Sequence, residues 1–370
     1  MISPQDYHLA IGQSLREARQ LANISVSDLE IEFDLAPGWV NEFEVGHAIP
    51  KELLLPMLNY LNVNFDSFFS NIDGAFDKSI SRIFYAEENG ADLILRFPYG
   101  SHDATYRLPN ASMDEFNELM GLFRAQLILA KREAVVQTFL KAVNLWPHAN
   151  PSDVWWFLVS RAYLDILNHP AGNARLNLEQ SWKRTGGWAL EEIVVRFYSG
   201  FLAQHDVKIQ ISDDSERRKI VEQINITDRL EADKIDVTLH GRHGDEWIFF
   251  GVVHVKASFA ERRTDDIHMS SLLKSAGYTS PLWTMDCKSS PSDNPINRGE
   301  LGDPNSEGRS AKRRDIEDEG YFTRCFSYNR NTIPSPDNLP ADRRIYTEDF
   351  VSPDDNFSRF IVQRWRAFMS

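Results

Sequence analysis

The sequence predicts an α/β protein in which a mixed sheet flanked by helices follows an all-α N-terminal part. Residues 8–70 consist of short amphipathic segments separated by turn residues, which indicates small helices. Residues 185–197 repeat apolar positions at helical spacing, and residues 234–256 contain two strand-like runs around a polar, glycine-containing turn. At 370 residues the chain is long enough for two or three domains. The domains we predict are residues 1–72, 73–150 and 151–370.

The N-terminal segment predicts five short helices. Phe43-Glu44-Val45-Gly46 resembles the end of the recognition helix in Cro/repressor-type helix-turn-helix domains, which would place that helix at about Pro37–Glu44. Its expected exposed side chains are Trp39, Asn41 and Glu42, with no Lys or Arg. The first 70 residues hold 3 basic and 10 acidic side chains, which should repel phosphates. The resemblance therefore implies a helix-turn-helix-like fold, whereas DNA contact, dimerisation, protein contact and a structural relic all stay open.

Residues 73–150 predict a small α/β connecting or recognition module. Short strand patterns at 81–86, 93–97 and 104–108 surround the hairpin signal Asn89-Gly90. Apolar residues at helical spacing then predict one helix from about Met113 to Asn144. Core packing explains that apolar stripe, so no function is assigned to the module.

The hairpin at residues 234–256 carries the residues with the clearest chemistry. Asp236 lies on its first strand, and His254 and Lys256 end the second strand on one face, two residues apart. A carboxylate, a second metal-binding group and a lysine are what Mg²⁺-dependent phosphodiester hydrolysis uses. An Asp and a Lys on paired strands also occur as a solvated ion pair. The apolar run before Lys256 indicates a buried strand ending at the sheet edge, which favours a site.

The order of these elements resembles the PD-(D/E)xK nuclease superfamily, and within it the type II restriction endonucleases. In that superfamily a glutamate-bearing helix precedes a hairpin with D…(D/E)xK, followed by a helix and another strand. Here Glu191 falls on the helix, Asp236 and Lys256 on the hairpin, and residues 264–276 and 282–287 supply the later helix and strand. The resemblance covers roughly residues 180–290. The family's second acid is replaced by His254, so either Glu191 or Glu261 supplies the acid or the imidazole binds the metal.

The resemblance implies an enzyme that hydrolyses both strands of duplex DNA at a short sequence. It implies Asp236, Glu191, His254 and Lys256 as catalytic residues, the first three as metal ligands, and Mg²⁺ or Mn²⁺ as cofactor. A homodimer is expected for palindromic sites, and a companion DNA methyltransferase for protection of the host. The alternatives are a methylation-dependent DNA endonuclease and a non-cleaving DNA-binding regulator.

Basic residues suggest where DNA would be contacted. Residues 289–312 are rich in Ser, Pro, Gly, Asn and Asp, which predicts a long or mobile loop. The DNA-contacting residues that we predict are Arg262, Arg263, Lys312, Arg313 and Arg314. A solvated charged face is an equally good explanation for the run at 312–314.

Composition narrows the function classes. The net charge of −14 opposes phosphate binding, although the first 70 residues contribute half of it. No apolar run of 18 residues and no secretion signal occur, and the 2 cysteines form no metal motif, so a reduced cytoplasmic protein with no membrane partner is expected. Phosphate-loop, dinucleotide-binding and HExxH motifs are absent from the sequence, which argues against nucleotide-driven, redox and zincin chemistry.

Overall fold

The computed structural model describes residues 4–64, 68, 84–99, 102–165, 168–169, 178–224, 235–259, 263–288, 290, 294–305 and 309–370. The described α-helices are α1 (Pro4–Leu21), α2 (Val26–Glu32), α3 (Trp39–Glu44), α4 (Lys51–Tyr60), α5 (Met113–Leu129), α6 (Lys131–Leu145), α7 (Pro151–Phe157), α8 (Leu178–Ala203), α9 (Asp214–Ile224), α10 (Arg263–Ser275), α11 (Ala311–Glu317) and α12 (Asn356–Phe368). The strands are β1 (Tyr85–Asn89), β2 (Asp92–Tyr99), β3 (His102–Leu108), β4 (Val207–Gln210), β5 (Val237–His243), β6 (Glu246–Lys256), β7 (Leu282–Thr284), β8 (Cys325–Ser327) and β9 (Ile345–Thr347). A π-helical turn spans Leu158–Ala162, and a 3₁₀ turn spans Ala341–Arg343.

A six-stranded mixed sheet is the main feature of the fold, and the predicted mixed α/β class is confirmed. Its strand order is β4-β5-β6-β7-β8-β9. The first three strands are antiparallel to one another, whereas β6 to β9 run parallel. Because parallel strands need long crossovers, helices and extended segments connect them. The carboxyl ends of β6, β7, β8 and β9 therefore meet at one edge of the sheet.

Helices cover both faces of this sheet. Side chains of α9 and α10 pack on Phe249 and Val252 of β6 and form one buried cluster. The neighbouring Phe250 points to the opposite face, where its ring meets Trp365 of α12 at 5.3 Å. Gly241 of β5 lies directly beneath Trp365, and a Cβ there would occupy the same space as the indole. Both faces of β6 are thus covered by apolar side chains, as its continuous apolar sequence predicts.

The four N-terminal helices α1–α4 pack around their own apolar core. The predicted recognition helix begins at Trp39 rather than Pro37, since Gly38 adopts a left-handed φ of 95° immediately before it. Glu30 on α2 accepts hydrogen bonds from the backbone N–H groups of Gly38 and Val40, at 2.8 and 3.2 Å. Arg19 forms a buried bidentate pair with Glu44. Two of the acids of this domain are therefore structural. The expected fifth helix falls mostly outside the described residues.

One further prediction differs from the structure. The single helix expected at 113–144 is two helices, because Ala130 between them is extended, with φ −156° and ψ 118°. The chain also packs into two compact units made of interleaved segments. Unit 1 contains residues 1–98, 110–141 and 157–186, and unit 2 contains residues 99–109, 142–156 and 187–370. The predicted domains at residues 1–72, 73–150 and 151–370 stay a prediction.

Three strands form a second sheet in the order β1-β2-β3, and its Asn89-Gly90 hairpin turn is as predicted. Among the described helices, none has the length and apolar character needed to span a membrane.

Candidate active site

The hairpin of β5 and β6 brings Asp236 to the end of β6. Val237 pairs with Val253, so the preceding residue, Asp236, lies just beyond the last residue pair of β5 and β6. Its carboxylate Oδ2 accepts hydrogen bonds from the backbone N–H of Val255 at 3.1 Å and from Lys256 Nζ at 2.7 Å. Lys256 in turn pairs with Thr284 of the parallel strand β7. The site therefore lies at the carboxyl edge of the parallel strands, where open α/β sheets place their sites.

A second carboxylate reaches the site from α10. Asp266 Oδ1 lies 3.2 Å from Lys256 Nζ and 3.7 Å from His254 Nδ1. The Lys256 ammonium is thus held between the carboxylates of Asp236 and Asp266. The side chains around it are little exposed to solvent: 13% for Asp236, 5% for Asp266 and 0% for His254. Asp266 belongs to the inward face of its helix, together with Met269, Ser270 and Leu273. The spacing of residues along helix α10, and not the alternation of residues along a strand, places this acid in the site.

The four side chains are suited to a divalent cation. Ligand atoms of Asp236, His254 and Asp266 all lie within 4.8 Å of one another. His254 Nδ1 and Asp266 Oδ2 are buried, yet neither has a hydrogen-bond partner in the described structure. Buried polar atoms normally have one, so Asp266 Oδ2 can bind a cation, and so can His254 Nδ1 in the tautomer that leaves it unprotonated. Two carboxylates and one ammonium leave a net charge of −1, which a divalent ion would reverse. The donor set fits a metal.

The orientation of His254 is fixed from behind. Its Nε2 lies 2.9 Å from the Ser280 hydroxyl, and that hydroxyl lies 2.8 Å from the Ser270 hydroxyl. The ring also meets Phe322 edge-on, at 5.5 Å between centroids. With Nε2 occupied by Ser280, Nδ1 is the nitrogen that faces Asp266. Such partners set which ring nitrogen can bind a metal.

Charges within the group stabilise one another. Burial alone would lower the pKa of Lys256, but the carboxylates of Asp236 and Asp266 outweigh it and raise that pKa. Burial would likewise raise the pKa of Asp266, but the nearby His254 ring and the Lys256 ammonium lower it. Both shifts favour the charged forms. At neutral pH the group therefore holds an ammonium against an ionised carboxylate of Asp266.

The structure thus brings together Asp236, His254 and Lys256 from the sequence prediction and adds Asp266. Glu191 lies half-buried on α8 and is not one of the three residues in the cation-sized group. Glu261 falls outside the described residues. Asp266 was not among the residues predicted from the sequence, although one signal was available. An acid at position 266 falls on the apolar stripe of the helix that follows β6, where a buried charge needs a partner.

The predicted DNA-contacting residues have different environments. Arg262 falls outside the described residues. Arg263 forms a bidentate pair with Asp315, and Lys312 forms an ion pair with Glu300. Lys312, Arg313 and Arg314 lie on α11 rather than in a mobile loop, since Ser310 caps this helix by accepting a hydrogen bond from Arg313 N.

The assignment of Arg313 to DNA contact is wrong for a simple reason. Its side chain is 0% exposed and donates to the carbonyl oxygens of Leu301, Gly302 and Ile333 and to Glu317. Arg314, by contrast, is exposed, and its side chain has no hydrogen bond or ion pair among the described residues. Adjacent residues of one basic run therefore have opposite roles in the structure.

Comparisons with known proteins point to one class of enzyme. No protein-family profile matches the chain. Over 269 residues the chain is 35% identical to the type II restriction enzyme AgeI of Thalassovita gelatinovora, an alignment that covers 69% of this chain and 93% of that protein. The crystal structure of the specific restriction endonuclease AgeI-DNA complex is 32% identical, with a TM-score of 0.66, and covers 73% of this chain and 99% of that chain. The crystal structure of the pre-specific restriction endonuclease BsaWI-DNA complex matches with 15% identity over 70% of this chain and 94% of that chain, at a TM-score of 0.37.

Proposed function

Because this chain belongs to the type II restriction endonucleases and is a site-specific deoxyribonuclease, we propose that Asp236, His254, Lys256 and Asp266 form its catalytic centre. The observation that carries the proposal is the convergence of two carboxylates, half-buried Asp236 and buried Asp266, on one lysine at the carboxyl edge of the sheet. Duplex DNA is the substrate, in line with the DNA complex of the solved relative. This arrangement supports membership of the PD-(D/E)xK superfamily, with the second acid supplied by α10.

Asp236 and Asp266 would hold the divalent cation, with His254 Nδ1 as a third ligand. When bound, the cation supplies Lewis-acid polarisation of the scissile phosphate and a more acidic water. Carboxylate oxygens suit Mg²⁺, whereas an imidazole ligand suits Mn²⁺ better. We therefore propose Mg²⁺ as the cofactor, with Mn²⁺ as a substitute. In this assignment Asp266 takes the role that sequence analysis left between Glu191, Glu261 and His254.

Lys256 would act on the charge that develops at the phosphate. Its ammonium is held protonated by two carboxylates, so it serves as a hydrogen-bond donor and not as a base. The backbone N–H of Val255 and the ammonium together fix the Asp236 carboxylate, which keeps both groups in place before the substrate arrives. A preorganised cation of this kind costs no rearrangement during the reaction.

The remaining parts of the proposal concern assembly. A homodimer would match a two-fold symmetric DNA site, and a companion DNA methyltransferase would protect host DNA in the cytoplasm. For α1–α4 we propose a helix-turn-helix-like domain with little phosphate contact. Its third helix carries no Lys or Arg, Glu44 is buried against Arg19, and Glu42 is exposed beside His47.

Neighbouring acids of α10 give a matched test of the catalytic centre. Asp266→Asn keeps the side-chain shape but removes the charge, whereas Asp265→Asn changes an exposed acid on the same turn. We expect the first change to slow cleavage of plasmid DNA by about 10²-fold or more and the second to leave it within about threefold. Calorimetry with Mn²⁺ should show weaker binding only for Asp266→Asn.

Each outcome of this test has a meaning. Full activity of Asp266→Asn would remove Asp266 from the centre. Equal losses in both variants would indicate a general effect of charge on α10 and not a metal ligand. If the wild-type enzyme cleaves only methylated plasmid, the methylation-dependent alternative replaces the proposed specificity. The proposed catalytic residues then stay the same.

A further inference from the structure

A polar cavity of about 420 Å³ lies within the larger of the two compact units, which also contains the candidate active site. One wall is the outer face of β3, where the exposed side chains of Asp103, Thr105 and Arg107 alternate with the buried Ala104 and Tyr106. Side chains two residues apart on a strand share a face, so these three line the wall in a row. They present a carboxylate, a hydroxyl and a guanidinium at regular spacing.

The other wall is held rigid by a network of amides. Asn331 lines the cavity and donates from Nδ2 to the carbonyl of Asn297 at 2.7 Å. Asn297 donates to the carboxylate of Asp153 at 2.9 Å, and Asn329 donates to the carbonyl of Asp286 at 2.9 Å. Asn294 and Asp153 also face the cavity. The wall is therefore preorganised by these hydrogen bonds.

The network ties this cavity to the same edge of the sheet as the catalytic group. Asp286 and Asn329 come two residues after β7 and β8, whose ends pair in register with each other and with Lys256 at the end of β6. Neighbouring strands are about 4.8 Å apart, so the end of β8 lies about 10 Å from the end of β6. That distance corresponds to about three base-pair steps of 3.4 Å. A duplex with its phosphate at Lys256 would bring nearby base pairs to the cavity.

The lining matches base edges better than other ligands. Two carboxylates and one guanidinium make the cavity a poor site for phosphate, and the polar walls make it a poor site for an apolar molecule. Base edges instead offer amino donors to carboxylates and paired acceptors to guanidinium groups, and strands are known to read them in the major groove. Burial raises the pKa of Asp153 to about 7, against the hydrogen bonds from Asn297 and Asn150 that lower it. Its carboxyl can therefore donate or accept near neutral pH.

We propose that this cavity reads base pairs of the target DNA, and that Asp103, Thr105 and Arg107 of β3 determine part of the cleavage specificity. The inference rests on the proposed function, because it needs the scissile phosphate to lie at Lys256. It assigns specificity to a different part of the chain from the basic residues of α10 and α11.

The test compares Asp103→Asn and Thr105→Val with His102→Ala, an exposed change on the same strand outside the cavity lining. The full-length proteins cleave a duplex library with a randomised segment, and the products are sequenced. We expect each cavity variant to relax preference at one position of the site by about 10- to 100-fold. His102→Ala should give the wild-type pattern, and thermal unfolding midpoints of all three variants should match the wild type.

A second arm separates this inference from the proposed catalytic function. The same library is selected by binding of the wild type and of each cavity variant in EDTA without added divalent metal, so that no cleavage occurs whichever residues form the catalytic centre. Relaxed preference in the bound fraction supports the cavity even if the catalytic assignment fails. An unchanged product pattern and an unchanged bound fraction for both cavity variants would overturn the inference, and so would an equal change in His102→Ala.

Discussion

Arg313 and Arg314 offer a sharp test of how burial divides the basic run of α11. We predict that Arg313→Ala destabilises the protein, because its guanidinium donates to three carbonyl oxygens and to Glu317, whose side chain is 1% exposed. Removing one partner of a buried ion pair costs about 3–5 kcal/mol. At about 2–4 °C per kcal/mol, the melting temperature should fall by about 6–20 °C.

Arg314→Ala is the matched control, since this side chain is exposed and makes no hydrogen bond or ion pair among the described residues. Surface changes of this kind alter stability by about 0.5 kcal/mol or less. If Arg314 contacts one DNA phosphate, its loss should reduce the slope of log affinity against log salt by about 0.9. The two substitutions should therefore affect different measurements.

The assay combines thermal and urea unfolding of the full chain with a salt titration of duplex binding by fluorescence anisotropy. Arg313→Ala should unfold early, and Arg314→Ala should bind with a flatter salt dependence. A stable Arg313→Ala protein with weakened DNA binding would refute the reasoning, because it would mean that the residue leaves its buried position to contact DNA. Destabilisation by Arg314→Ala would also refute the reasoning, because it would mean that this exposed side chain contributes to stability.

Three further predictions concern the sheet edge. Lys256→Ala should slow cleavage by about 10²-fold or more, yet tighten Mn²⁺ binding in calorimetry, since a positive charge beside the ligands is removed; weaker binding would contradict this. His254→Ala should lower the Mn²⁺-supported rate more than the Mg²⁺-supported rate, and equal losses would count against an imidazole ligand. Burial raises the pKa of Asp286 to about 6, so its contribution to stability should fall as pH rises from about 4 to about 6. In urea unfolding, the free energy of unfolding of Asp286→Asn should lack that decline. Parallel pH profiles for the variant and the wild type would contradict the prediction.

Local patterns made part of the site predictable from the sequence. The hairpin signal, the apolar run of β6 and the two-residue spacing of His254 and Lys256 all depend on neighbours in the chain. Asp266 was harder to find, because its role depends on which face of α10 meets the sheet. Arg313 was assigned wrongly for a related reason: its partners Leu301, Gly302 and Ile333 lie up to 20 positions away, and no local pattern reveals that their carbonyl groups converge.

The break between α5 and α6 had no sequence signal either. Neither Gly nor Pro occurs near Ala130, and the residues on both sides are good helix formers. Tertiary packing overrides that local preference. The interleaved composition of the two compact units is likewise invisible to boundary signals in the sequence, because segments such as 99–109 and 142–156 pack with residues far along the chain.

The proposed catalytic group spans only residues 236–266, a single hairpin and the helix that follows it. The polar cavity needs β3, the start of α7 and the segments at 294 and 331, which are separated by more than two hundred positions. Contacts within a short stretch cost little loop-closure entropy, whereas distant segments must be held together by the rest of the unit. As denaturant or heat loosens the protein, the cavity should open before the hairpin and helix separate. On the roles proposed for these two places, a partly unfolded molecule would first become indiscriminate and only later inactive.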